Sequence, residues 1–236
     1  MALNPENIGI VLAPSRSGTT ALAAAFAQNP NVYVWRNPLK SIIRERGHYL
    51  SDQETEGVIR RGADNGPAAR VFLKMTFGLS SPLHCEYKPF PENEMGTVLA
   101  SRTVALLRDP LWTLNSWIRC GKDPANYVLA YKHVLGLVEQ WNLPVVTYEH
   151  LVRDPEHLLR ILCERWGIGY TSSMLSFDDL SFNPKIAEVG IHETIRQNPR
   201  FIDANRGESL VVWEQIGLAS QFDRAYTAYR GLSVDA

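Results

Sequence analysis

The chain has 236 residues, of which 45% are hydrophobic, and its formal net charge at pH 7 is −1. This length and composition predict one globular domain, with or without an appendage. The near-neutral charge argues against binding to nucleic acid or to an anionic membrane through a global positive field. An anionic ligand would therefore need a local cluster of arginines.

The N-terminal residues and the cysteines bear on where the protein works. Residues 1–6 lack a basic stretch followed by an apolar one, and no run approaches membrane-spanning length. We therefore expect neither a signal peptide nor a membrane partner. The three cysteines show no metal-ligand spacing and no disulfide framework. We expect reduced thiols, no metal and a cytoplasmic location, and the oligomeric state stays open.

The first predicted elements are a strand, a turn and a helix. An apolar run at 8–14 is followed by a small polar turn with a glycine, and 21–26 then has a helical pattern. Backbone amides in such a turn, together with the helix dipole, favour an anion. Gly18 allows close backbone approach, and Arg16 adds a fixed charge. Hydroxyl donors come from Ser17, Thr19 and Thr20. The segment predicts a phosphate-binding loop, the alternative being an ordinary polar turn before a helix.

The rest of the chain alternates between predicted strands and helices. Strands are predicted at 32–35, 71–75, 103–107 and 144–148, and helices at 39–46 and 53–61. Three more helices open with an Asp-Pro pair at 109–110, 123–124 and 154–155, which provides a cap and a favourable first residue. Residues 78–96 have the composition of a long loop, and 167–236 that of a helical extension. The alternation predicts a single α/β domain over 1–236, whose parallel β-sheet is flanked by helices and whose core spans about 8–170.

Two further places carry candidate functional residues. Lys74 interrupts an apolar strand, where an unpaired charge is costly unless it faces a polar cleft. Arg108 closes the next strand, and Ser116 follows eight residues later in a helix. An arginine and a hydroxyl at one sheet edge can hold a second phosphate. The alternative for this pair is a strand-end arginine and an unrelated surface serine.

Three motifs resemble those of the sulfotransferases. The first loop departs from the kinase P-loop because Ala13 replaces its first glycine and Thr19 its lysine. Residues 16–20 instead match the phosphosulfate loop Pro-(Lys/Arg)-Ser-Gly-Thr-Thr, with one extra residue after Pro14. The Arg-Asp-Pro run at 108–110, with its serine eight residues on, resembles the 3′-phosphate site. Tyr-Glu-His-Leu at 148–151 is similar to the Tyr-Glu-Asp-Leu stretch of the family. Leu-Cys-Glu at 162–164, Gly-Ile at 167–168 and Met-Leu at 174–175 resemble a bacterial-type subgroup.

The resemblance implies a P-loop-like sulfotransferase. Its donor would be 3′-phosphoadenosine 5′-phosphosulfate (PAPS), and the product nucleotide the 3′,5′-bisphosphate (PAP). It implies that Arg16, Ser17, Gly18, Thr19 and Thr20 hold the phosphosulfate, that Arg108 and Ser116 hold the 3′-phosphate, and that Tyr148 lies near the adenine. Lys74 would stabilise charge on the transferring sulfuryl group. The acceptor would be a hydroxyl or amine of a small molecule in a cleft bordered by 36–50 and 77–96.

The sequence departs from the family at the general base. Many members have a histidine two residues after the strand lysine, where this chain has Thr76. Others have a glutamate before a proline after the second strand, where this chain has Asn37. Neither residue is a useful base near neutral pH. His84, in the long loop, is the first candidate for the base. The candidates that follow are His48, Glu45 and Glu86.

The remaining interpretations concern residues outside these motifs and alternative functions. His133 lies on an amphipathic helix and is interpreted as structural, while Arg206 and Gly207 could add to the 3′-phosphate site. One alternative is a P-loop kinase that uses ATP, with Asp109 as magnesium ligand. Another is a catalytically silent nucleotide-binding protein of the same fold, which has lost the base.

Overall fold

A computed structural model of the chain describes residues 7–64, 70–78, 81–176, 201 and 216–230. The strands are β1 (Ile8–Pro14), β2 (Val32–Arg36), β3 (Arg70–Phe77), β4 (Thr103–Leu107) and β5 (Val145–Thr147). The helices are α1 (Thr19–Ala27), α2 (Pro38–Arg46), α3 (Asp52–Asp64), α4 (Glu94–Ser101), α5 (Pro110–Arg119), α6 (Pro124–Trp141), α7 (Tyr148–Arg153), α8 (Pro155–Trp166), α9 (Ile216–Ser220) and α10 (Asp223–Arg230). Short 3-10 helices span Pro82–His84 and Ser172–Leu175.

The strands form one parallel sheet in the order β2-β3-β1-β4-β5. The chain leaves β1 toward β2 on one side of the sheet and leaves β4 toward β5 on the other. In open α/β sheets the crevice beyond the carboxyl ends at such a reversal is where ligands bind. The loop after β1 and the ends of β2, β3, β4 and β5 therefore share one edge.

The two faces of the sheet have separate cores, as the period of two along each strand requires. In β1, Ile8, Ile10 and Leu12 face the core that includes α6, while Val11 and Ala13 face the one that includes α1 and α8. On the second face the rings of Phe26, Phe72 and Trp166 pack with centroids 4.5 to 5.6 Å apart. Both faces are covered by helices, so the strands are apolar almost throughout. The charged side chains are Arg36 and Arg70 at strand ends and Lys74 inside β3.

The structure confirms the predicted fold class, a parallel α/β sheet flanked by helices. The aspartates of the three Asp-Pro pairs cap α5, α6 and α8 by accepting bonds from backbone amides. In the described part of the C-terminal extension, 3-10 and α-helical segments are found. No helix among the described residues is long and apolar enough to cross a membrane.

Two predicted boundaries were wrong. The loop predicted over 78–96 contains the 3-10 helix Pro82–His84 and gives way to α4 at Glu94, because the side chain of Asn93 caps that helix. Tyr148 belongs to α7 and not to the last strand, because the Thr147 side chain accepts a bond from the His150 amide and starts the helix there. Arg206 and Gly207 lie outside the described residues.

Candidate active site

The turn between β1 and α1 has the backbone geometry of an anion-binding loop. Arg16 and Gly18 both have positive φ angles, 77° and 87°, and Gly18 precedes α1 without providing a side-chain cap. A Cβ on Gly18 would lie 2.4 Å from the Tyr148 ring, so only glycine fits there. The Ser17 hydroxyl oxygen is buried and has no hydrogen-bond partner within the described part of the chain. A buried polar atom is seldom left unpaired, so this hydroxyl fits the role of a donor to a bound phosphate.

The three predicted motifs meet at this loop. The Arg16 Nε donates to the Ser116 Oγ at 3.1 Å, and the Arg108 Nη1 donates to the Arg16 carbonyl at 3.2 Å. The Arg108 guanidinium also lies over the Tyr148 ring, 4.9 Å from its centroid. Cation–π geometry of this kind holds a guanidinium in place. The structure therefore brings together the predicted donor-binding residues that follow β1 and β4 and those in α5 and α7.

The predicted catalytic lysine reaches the same loop from β3. Lys74 is 3% exposed, and its Nζ donates to the Thr20 Oγ1 at 2.9 Å, just after Thr19 opens α1. Burial lowers the pKa of Lys74 well below its ordinary value, and the positive charges of Arg36, Lys40 and Arg16 lower it further. An anion at the loop would reverse this balance and favour the charged lysine.

Asn37 and Thr76, the two positions at which the sequence departs from the family it resembles, are hydrogen-bonded to each other. Asn37 has a positive φ of 49°, and its Oδ1 accepts bonds from the Thr76 amide at 2.8 Å and from the Thr76 hydroxyl at 2.9 Å. The backbone amide of Asn37 donates to the Lys74 carbonyl at 2.7 Å. This arrangement joins the start of α2 to the end of β3 and leaves neither side chain able to take a proton.

Lys40, a buried lysine that the sequence did not point to, lies at this junction of α2 and β3. Lys40 is 3% exposed, and its Nζ donates to the Thr76 Oγ1 at 2.7 Å and to the Gly78 carbonyl at 3.4 Å. Burial, and then the charge of Arg44, lower its pKa to about 7, against a smaller opposing effect of Cys85. One sequence signal was present, since Lys40 lies three residues before the core residue Ile43 and so shares its helix face.

Arg36 and His84 stand at the same edge with buried nitrogen atoms unpaired. Arg36 ends β2 opposite Lys74, and its Nε and Nη1 have no partner among the described residues; burial lowers its pKa. His84, 5% exposed, lies in the 3-10 helix after β3, with its Nδ1 unpaired among those residues. Burial lowers the pKa of His84, and the charges of Lys40 and Arg44 add to that effect.

The other candidates for the base lie elsewhere. Glu45, His48 and Glu86 are exposed, and the His48 Nδ1 contacts the Tyr49 carbonyl at 2.8 Å. His133 contacts the Tyr87 carbonyl through Nε2 at 3.0 Å, which agrees with a structural role. Within the described ranges, no group of three or more histidine, cysteine, aspartate or glutamate side chains could hold a metal ion.

The fold and this edge define a class, the parallel α/β proteins whose first strand is followed by a turn with the backbone geometry of an anion-binding loop and then by a helix. Comparison with solved structures narrows the class. The sulfotransferase domain of the Synechococcus PCC 7002 olefin synthase matches with a TM-score of 0.55 and 16% identity over 94% of each chain. The sulfotransferase domain of the curacin biosynthetic pathway matches with a TM-score of 0.54 and 16% identity, over 91% of this chain and 96% of that one.

A mouse enzyme extends the likeness to animal proteins. Mouse sulfotransferase SULT7A1, solved in complex with PAP, matches with a TM-score of 0.51 and 14% identity over 97% of this chain and 85% of that one. No family model and no curated protein matches the sequence. The likeness is therefore one of three-dimensional structure, and it shows that the chain has the sulfotransferase fold.

Proposed function

We propose that the chain is a sulfotransferase that moves the sulfuryl group of PAPS to a hydroxyl or amine of a small molecule. The observation that carries this proposal is the convergence of two anion-binding elements and one buried lysine at the carboxyl edge of the sheet. The Arg16–Ser116 and Lys74–Thr20 hydrogen bonds link these elements. A donor with a phosphosulfate at one end and a 3′-phosphate at the other requires this combination of groups.

The residues divide between the two ends of the donor. The amides of the loop, Arg16 and the Ser17, Thr19 and Thr20 hydroxyls would hold the phosphosulfate, and Arg108 with Ser116 would hold the 3′-phosphate. Tyr148, packed against Gly18, would form the floor beneath the nucleoside. The donor supplies an activated sulfuryl group. Lys74 would stabilise the negative charge that develops as that group leaves its phosphate.

The acceptor site would lie between α2 and the segment after β3. This wall carries Arg36, Lys40 and His84. His84 is the base that the sequence predicts, and its Nδ1, which has no partner among the described residues, could accept a proton; Lys40 is a second nitrogen base on the same side of the cleft. We place the activity in the cytoplasm, in keeping with Cys85, Cys120 and Cys163, which form no disulfide within the described part of the chain.

Isothermal titration calorimetry with three nucleotides tests the proposal. We expect PAP to bind more tightly than 5′-AMP, because only PAP has the phosphate that Arg108 and Ser116 would contact. ATP with magnesium should bind weakly, since the loop lacks the P-loop lysine and Asp109 already caps α5 through bonds from the Leu111 and Trp112 amides. Tightest binding of ATP with magnesium would reject the sulfotransferase proposal in favour of a kinase.

A silent PAP-binding protein is the second candidate. It is favoured by one observation: the Asn37 Oδ1 accepts both bonds from Thr76, and because neither an amide nor a hydroxyl is a useful base near neutral pH, neither family position holds a base. Both candidates bind PAP, but only a sulfotransferase turns PAPS over to a sulfated product. Wild-type protein would be incubated with PAPS and a panel of alcohols, phenols and amines, and PAP release with sulfated product would be measured. Tight PAP binding with no product from any acceptor supports the silent protein.

A further inference from the structure

The structure places a buried amine where the family base is missing. Thr76 lies two residues after Lys74, so both side chains leave β3 on the same face, about 7 Å apart along the strand. The Lys40 Nζ lies 2.7 Å from the Thr76 hydroxyl oxygen. We propose that Lys40 accepts the proton of the acceptor hydroxyl or amine during sulfuryl transfer, an inference that rests on the proposed sulfotransferase function.

The hydrogen bonds around Lys40 leave one position on its nitrogen open. The Thr76 hydroxyl donates its own hydrogen to the Asn37 Oδ1, so its oxygen accepts from Lys40. The second Lys40 bond goes to the Gly78 carbonyl oxygen. A neutral amine has two N–H bonds and one lone pair. These two oxygens therefore use both N–H bonds and leave the lone pair available for a proton.

The surroundings of Lys40 favour the neutral amine. Burial is the largest cause, the positive charge of Arg44 on the same helix adds to it, and the Cys85 thiol opposes both. Lys74 on β3 and His84 on the 3-10 helix also face Lys40, and a charge on Lys40 lowers the pKa of each. Among the described residues no carboxylate forms an ion pair with Lys40. Burial and the charge of Arg44 bring the pKa of Lys40 to about 7, near the value that suits a general base at neutral pH.

The reaction step balances without another reagent. The acceptor oxygen or nitrogen forms a bond to sulfur as the bond between sulfur and the bridging phosphate oxygen breaks. The electron pair of the broken bond stays on the phosphate of PAP, where Lys74 and the loop would stabilise it. The acceptor proton moves to Lys40, which becomes an ammonium and returns the proton to water after the products leave.

Two substitutions separate a base from a merely positive or positioning residue. Lys40→Arg keeps a charge and hydrogen-bond donors but has no lone pair at neutral pH, since an arginine stays protonated. Lys40→Met removes the charge, the hydrogen-bond donors and the nitrogen lone pair. We expect each variant to lose about a hundredfold or more in kcat, to bind PAP within about threefold of wild type, and to lose the limb of the rate–pH profile near pH 7. Lys132→Arg, exposed on α6, is the matched control and should behave as wild type.

The rates would be measured with PAPS and whichever alcohol, phenol or amine of the panel wild type uses best. If Lys40→Arg retains wild-type kcat and the limb near pH 7, Lys40 is a positioning residue and the inference is overturned. Loss of the limb in His84→Ala, with Lys40→Arg unaffected, would assign the base to His84. Weak PAP binding by wild type would instead overturn the proposed function.

A second measurement needs no acceptor. NMR titration of protein carrying ¹³C,¹⁵N-lysine, with the Lys40 signal assigned by its loss in Lys40→Arg, reports the protonation of this amine directly. We expect a midpoint near 7 without nucleotide, well below that of Lys132. A midpoint near 10.4, the ordinary value for lysine, would mean that Lys40 is protonated at neutral pH and would overturn the inference even if wild type sulfated nothing in the panel.

Discussion

Lys74 lies among positive charges, and no carboxylate of the described residues forms an ion pair with it. Its Nζ bonds to the Thr20 hydroxyl, and Arg36, Lys40 and Arg16 all act to lower its pKa. A buried lysine with no partner of opposite charge adds little to stability, because desolvation and repulsion both oppose its charged form. Under the proposed function, the negative charge of the donor would offset this cost when the donor binds.

Substitution of Lys74 by methionine should therefore affect turnover far more than folding. We expect Lys74→Met to lower kcat by about a hundredfold or more, as for other groups that stabilise transition-state charge, with PAP affinity changed only a few-fold. Thermal unfolding should be unchanged or shifted upward, because methionine removes the buried charge. Lys88→Met, on an exposed side chain paired with Glu92, is the control. Wild-type turnover in Lys74→Met would remove this lysine from the mechanism.

At the scale of elements, the junction of β4 and α5 fixes Arg108 through its backbone. The Arg108 carbonyl accepts bonds from the Tyr131 hydroxyl at 2.9 Å and from the Thr113 hydroxyl at 3.2 Å. The Arg108 side chain makes different contacts, to the Arg16 carbonyl and the Tyr148 ring. Truncating the Arg108 side chain leaves the bonds to its carbonyl in place. Its role in nucleotide binding can therefore be tested without disrupting the junction of β4 and α5.

We expect Arg108→Ala to weaken PAP far more than 5′-AMP. A hydrogen bond to a charged group is worth roughly 1.5–3 kcal/mol, which corresponds to about 10–150-fold in affinity. Calorimetry with both nucleotides measures the difference, and Arg119→Ala, exposed at the far end of α5, serves as the matched control. An equal loss for PAP and 5′-AMP would show that Arg108 supports the loop and does not contact the 3′-phosphate.

At the scale of the whole molecule, the sequence predicted the features that depend on neighbouring residues better than those that depend on contacts between residues far apart in the chain. The strands follow from apolar runs that alternate with helical patterns along the chain, and each Asp-Pro cap follows from two adjacent residues. The sequence was therefore sufficient to predict both. Helix α4 was missed because residues 78–96, with three prolines, have the composition of a long loop. In the structure Asn93 caps the helix, and Gly96 is needed for packing, since a Cβ there would lie 1.9 Å from the Pro91 carbonyl oxygen. Lys40 was missed because a lysine on an amphipathic helix usually faces solvent, and its burial depends on Thr76, 36 residues away.

The buried lysines also make the stability of the whole protein depend on pH. The folded state releases the Lys40 proton near pH 7, whereas the unfolded chain keeps it until about 10.5. Between these values the unfolded state binds more protons, so the free energy of unfolding rises with pH. Lys74, with a pKa lowered in the same direction, contributes with the same sign. Above about pH 10 the trend should reverse, because buried Tyr87 has a raised pKa and the unfolded state loses its tyrosine protons first.

Urea unfolding at half-unit steps from pH 6 to 9.5 measures this dependence. We expect wild-type stability to rise over this range and Lys40→Met to show a clearly smaller rise, the full difference between pH 7 and 10.5 amounting to at most about 5 kcal/mol. Lys132→Met should rise in parallel with wild type, because an exposed lysine titrates alike in both states. A parallel rise in Lys40→Met would show that this amine stays charged in the folded protein. It would then have no lone pair to offer an acceptor at neutral pH.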